Sequence, residues 1–189
     1  IILTQPKGTY TVTASFTGDS EYLGSSDSQS FTIERENVSV EYTGDTVVPT
    51  TAKTINLRAT VFDSNDGYLG DLTKLKVTFS IYAGQLGSGT LYKTITGVPV
   101  SQTGTPGIGV AITAIANLPE NGYLIIVSID PNAYYAGPTS DPSPLTVYQP
   151  TGSFVTGGGW IWDPSGSKGN FGFNVKYTKS GSVQGHSIY

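Results

Sequence analysis

Among its 189 residues the chain has no cysteine. No disulfide can staple the fold, and neither thiolate catalysis nor thiolate metal ligation is open to it. Charge is scarce as well. Asp, Glu, Lys and Arg together make 13% of the sequence, well below the roughly 25% of an average soluble domain. The ten basic residues are scattered and the formal net charge is −4. Both features argue against nucleic acid as a partner, because phosphate-binding surfaces concentrate Lys and Arg to displace counterions. No apolar run reaches the roughly 18 residues needed to span a bilayer as a helix. The opening IILTQPKGTY lacks the charged region and cleavage site of a signal peptide, so targeting or anchoring segments of an exported parent are expected outside this stretch. The only histidine, His186, lies in a polar segment with no nucleophile elbow beside it, which argues against acid–base catalysis. Gly84, Gly87 and Gly89 do not have the spacing of a phosphate-binding loop and read as a hairpin turn.

Thr, Ser, Gly and Tyr are abundant instead, and polarity without charge suits a β-rich extracellular surface protein. The clearest strands lie between Thr54 and Tyr82. Ile55, Leu57, Ala59 and Val61 alternate with polar residues, as do Val77, Phe79 and Ile81. Period-two alternation bounded by Asp, Asn and Gly predicts strands that bury one face and wet the other. Further strands are predicted over Val38–Tyr42, Leu91–Val100, Ile108–Leu118, Tyr123–Ile129 and Leu145–Tyr148. About seven such strands predict an all-β, immunoglobulin-like sandwich. Its expected core comprises Leu57, Ala59, Val61, Val77, Phe79, Ile81, Tyr123, Ile125, Val127 and Ile129.

The sequence also repeats itself. Tyr10 and Tyr123, Tyr22 and Tyr135, and Gly24 and Gly137 all stand at one constant separation. After a one-residue insertion, Phe31 and Ile33 match Leu145 and Val147. A repeat with a period on the order of 100 residues predicts tandem modules. Residues 1–35 are then the closing hairpin of one module, 36–149 a complete sandwich, 150–153 a linker, and 154–189 a further, partial β domain rich in glycine and aromatics. Tyr10 and Tyr123 follow Pro and Gly turns and open the penultimate strand of their copies, the place of a tyrosine corner.

These segments carry a family resemblance. GTYTVTASFTGDSEYLGSS resembles the end of the bacterial Ig-like repeats of large secreted and cell-surface proteins, and LRATVFDSNDGYLGD with KVTFSIY resembles their second and third strands. GGGWI and SKGNFGFNVKY are similar to the start of the post-COAP C-terminal β domain, which follows such repeats in some secreted bacterial and archaeal proteins. The resemblance implies an extracellular or cell-surface location. It also implies that the terminal domain is only begun here, since that family continues with further strands.

Three candidate sites emerge. Asp63, Asn65, Asp66 and Asp71 crowd oxygen ligands into one loop, as calcium requires. The EF-hand spacing fails, however, because Lys74 stands where the bidentate Glu is needed, and an Asx-rich turn accounts for the same residues. Trp160 and Trp162 share one side of a strand and could stack on sugar rings, although large aromatics more often fill cores and a core placement is the favoured expectation. Leu124 and Ile126 occupy outward positions where the first copy has Thr11 and Thr13. A strand apolar on both faces is usually covered, so an interface is expected there.

The function these readings predict is a non-enzymatic structural or spacer segment of a large extracellular protein, with no cofactor unless calcium binds. Its partners would be neighbouring modules of the parent chain or further copies of itself. Incomplete ends predict either head-to-tail assembly into a filament or a fragment of a longer polypeptide. The alternative is an accessory carbohydrate-binding module of a secreted hydrolase, with Trp160 and Trp162 on a cell-surface polysaccharide.

Overall fold

Apolar alternation becomes strand along nearly the whole chain. The computed structural model describes residues 5–63, 69–84, 89–150, 154–162, 166–177 and 182–188. The expected turn position Gly87 and most of the expected linker, 151–153, lie outside the described residues. The elements in order are β1 (Gly8–Phe16), β2 (Ser25–Ile33), β3 (Glu36–Tyr42), β4 (Val47–Pro49), β5 (Thr54–Asp63), a 3-10 turn (Leu72–Lys74) and β6 (Lys76–Ala83). There follow β7 (Thr90–Gln102), β8 (Ile108–Ala116), β9 (Asn121–Ile129), β10 (Tyr135–Ala136), β11 (Ser143–Tyr148), β12 (Phe154–Trp162), β13 (Lys168–Tyr177) and β14 (Val183–Ile188). The protein is all-β, with no α-helix among the described residues.

Three sheets result: a β1–β2 hairpin, a nine-stranded mixed sheet in the order β10-β3-β5-β8-β7-β6-β9-β11-β4, and a terminal β12-β13-β14 sheet. The middle one departs from the expected pair of separate sheets, because it is hydrogen-bonded continuously and curls into a half-barrel. The hinge is β7. Its residues from Thr90 to Pro99 pair with β6, whereas Val100–Gln102 pair with β8. Between the partners Val77–Val98 and Phe79–Ile95 the register shifts, and Gly97 there has φ +71, a conformation that only glycine adopts freely. A bulge bends and twists its strand. Asp130 holds this one, accepting from Gly97 N at 3.1 Å and from Thr78 Oγ1 at 2.6 Å.

Curling folds the two halves of the sheet over one core. Leu57, Ala59 and Val61 from β5, Val77, Phe79 and Ile81 from β6, and Tyr123, Ile125 and Val127 from β9 are buried together, with Ile129 half-buried at the margin. Tyr42 meets Phe79 edge to face at 6.5 Å. Two short edge strands close the flanks in parallel, β10 on β3 and β4 on β11.

The repeat is visible in hydrogen bonds. Tyr10 Oη donates to the carbonyl of Pro6 at 2.8 Å, and Tyr123 Oη to that of Pro119 at 3.0 Å. Asp19 Oδ1 accepts from Glu21 N and Tyr22 N, and Asn132 Oδ1, at the matching place in the second copy, accepts from Tyr134 N and Tyr135 N. The hairpin of β1 and β2 is thus built on the plan of β9 to β11.

Candidate functional site

The acidic loop is the first place where chemistry was expected. Asn65 and Asp66 lie outside the described residues. Asp63, at the end of β5, accepts from Gly70 N through Oδ2 at 2.8 Å, while its Oδ1 is buried without a partner among the described residues. Asp71 caps the 3-10 turn, accepting from both Thr73 N and Thr73 Oγ1. Those two bonds hold its carboxyl below the usual range, with help from Lys74. Tyr135 reaches the same place: a Cβ on Gly70 would collide with its hydroxyl. Burial, and then the charges of Asp63, Asp71 and Glu36, push the Tyr135 phenol upward. Among the described residues no three acidic or imidazole groups converge as metal ligands would. Asp63 and Asp71 here satisfy backbone and hydroxyl donors, as an Asx-rich turn does.

The second place is the tryptophan pair on β12. The indoles are 53% and 62% exposed, contrary to the favoured core placement. Local geometry explains it. Trp160 pairs with Asn170, which bonds Pro142, so the indoles stand on the side of the terminal sheet that meets the middle one, but at and beyond the last of those contacts. Gly157 and Gly159 lie on the other side, under the half-buried rings of Phe173 and Phe171. Trp160 and Trp162 meet edge to face, with centroids 5.5 Å apart and planes 73° apart, and Lys168 Nζ lies 5.7 Å from the Trp160 ring. Trp160 also borders a cleft of about 190 Å³ between the terminal sheet and β4, with Tyr42, Pro144 and Asn170 on its walls. Aromatic faces beside amide and hydroxyl groups are what a sugar ring packs against. The indoles do not, however, form one flat platform.

The third place is the outer side of β9. Leu124 is 2% exposed and Ile126 half-buried. The terminal sheet lies on this side. Ile188 is buried against Gly122, where a Cβ would stand 2.6 Å from its Cδ1, and Gly172 lies close on Pro144. Asn170 Nδ2 donates to the Pro142 carbonyl. Lys176 Nζ grips both carboxylate oxygens of Glu120 at 2.6 and 2.8 Å. His186 borders an open cleft near this ion pair, beside Asn174, whose buried Oδ1 has no partner among the described residues. Glu120 and Lys176 line the same cleft, where they are engaged with each other. Sequence reasoning missed Glu120 and Lys176, which stand far apart in the chain and carry no local signal.

No known family model matches the chain, and no curated protein is significantly similar to it.

Proposed function

We propose that the chain is a non-enzymatic spacer segment of a large extracellular or cell-surface protein, built from tandem immunoglobulin-like modules. One observation carries this reading: the same closing hairpin, with the same tyrosine-to-proline-carbonyl bond and the same Asx turn, occurs twice in one chain at a constant offset. An offset the length of one small domain is how arrays of modules are made. An immunoglobulin-like reading of residues 36–148 is supported by its entering chain, which starts in one half of the sheet as β3 and crosses to the other as β4.

The edges suit a load-bearing role. β4 runs parallel to β11, tied by Thr146 N to Thr46 O at 2.8 Å and Thr50 N to Tyr148 O at 2.7 Å. In a parallel pair of entering and leaving strands, tension on the ends shears these bonds together instead of peeling them one by one. Stretching the chain between tethers at its two ends tests the proposal. Residues 36–148 should yield in one cooperative step that releases roughly 350–400 Å of chain. Gradual lengthening without such a step would sink it.

The exposed indoles favour a second reading, an accessory module that binds carbohydrate at Trp160 and Trp162. Titrating tryptophan fluorescence with cello-, xylo- and chito-oligosaccharides tests it. A saturable change that disappears in Trp160→Ala supports the reading, and no change with any of the three removes it.

A further inference from the structure

The two copies of the closing hairpin differ in what lies on them. In β9 to β11, Ile125 and Leu145 are wholly buried and Tyr135 is 4% exposed. At the matching places Val12 is 58%, Phe31 36% and Tyr22 66% exposed. The edges differ in the same way. β9 receives β6 along one side, β11 receives β4, and β10 receives β3, whereas β1 and β2 pair only with each other among the described residues. The opposite, polar face carries the cross-strand hydroxyl contacts Thr11–Ser30 and Thr13–Ser28.

We propose that the apolar face and outer edge of β1–β2 are a docking site for the opening strands of another module of this repeat type, a polypeptide with the strand pattern of residues 36–118. This deepens the tandem-module reading and rests on it. The second copy supplies the register. Ile125, Val127 and Ile129 stand opposite Ile81, Phe79 and Val77 of β6. A strand patterned like β6 therefore adds antiparallel to β1 with its apolar residues opposite Val12, Ala14 and Phe16. Strand addition to an open edge draws affinity from main-chain bonds and specificity from alternate side chains. Volume is redistributed rather than lost: Val12 and Ala14 are smaller than Ile125 and Val127, while Phe16 and Phe31 are larger than Ile129 and Leu145. Cores tolerate such exchanges when total volume and pattern are kept.

The test is a fusion in which a copy of residues 36–118 is joined directly ahead of Pro6, as Leu118 precedes Pro119, and compared with the unmodified chain by amide hydrogen exchange. The expected result is that exchange in β1 slows by about 100-fold or more and that Val12→Asp in the fusion abolishes this slowing while residues 36–148 stay protected. If the added strands and β1 exchange freely while residues 36–148 stay protected, the docking proposal fails and the tandem reading survives. If residues 36–148 of the unmodified chain show no cooperative protection, the tandem reading fails and the proposal goes with it. Protection of β1 in the unmodified chain that rises with protein concentration would make the occupant a second copy and overturn the proposal.

Discussion

Residues 6–33 and 119–147 are one hairpin written twice, and among the described residues only the second is joined by further strands. Both copies keep the tyrosine bond to a proline carbonyl and the Asx turn. Those are local features, set within a few residues, and they form whether or not a core lies over them. Burial is not local. Leu145 is wholly buried because β3 to β8 bring a second apolar wall to it, while Phe31, with no such wall among the described residues, is 36% exposed. The comparison separates what a hairpin makes by itself from what the surrounding strands add.

Truncation should break the symmetry of the copies most sharply. Leu145→Ala is expected to destabilise the middle sheet by about 2–5 kcal/mol, the cost of a cavity in a packed core. Phe31→Ala should cost less than about 1 kcal/mol, because its site is open and can refill with water. Calorimetric unfolding of both variants checks this, and equal losses would mean that the first hairpin is buried in solution. The tyrosine corners should differ by less. Tyr123→Phe removes a bond to Pro119 from a buried phenol and is expected to cost about 1 kcal/mol. Tyr10→Phe, at a half-exposed site, should cost a few tenths.

Alkaline pH sharpens the same contrast. Burial, and secondarily Tyr92, pushes the Tyr123 phenol up to about 12, against about 10 in an unfolded chain. The folded state therefore holds this proton more tightly. Its contribution to stability is whole below about pH 10 and is lost as pH rises toward the folded value. Melting temperature measured from pH 8 upward should fall along that window, and Tyr123→Phe should flatten the fall. An unchanged slope in the variant would assign the loss to other groups.

The smallest effect is expected where the terminal sheet meets the middle one. Lys176 and Glu120 are each about one-fifth exposed, and partly solvated pairs contribute about 0.2–1 kcal/mol. Glu120→Gln should speed amide exchange in β13 and β14 a few-fold and leave β1 and β2 untouched. A change in the first hairpin would show that the hairpin and the terminal sheet are coupled through the middle sheet.

Much of this was legible in the residues. Alternation located β5, β6 and β9 and their inward faces, and the matched positions of Tyr10 and Tyr123 revealed the duplicated hairpin. β4 and β10 were not legible, since strands of three and two residues are too short to show a period. The tryptophans were misplaced because a period of two says which residues share a side, not how far along a strand its cover extends. The cover from the middle sheet ends near Asn170, the partner of Trp160, and leaves the indoles at its margin.

By itself the sequence determined the all-β class, the faces of the long strands, the local turns and the absence of thiol chemistry, because each follows from residue type and near-neighbour spacing. Tertiary structure decided how those strands close. The curl through β7 depends on Asp130 joining Thr78 and Gly97, and the cover over Leu124 depends on a sheet that begins well beyond it in the chain. Contacts between residues so far apart have no period to betray them, so only the folded chain could place them.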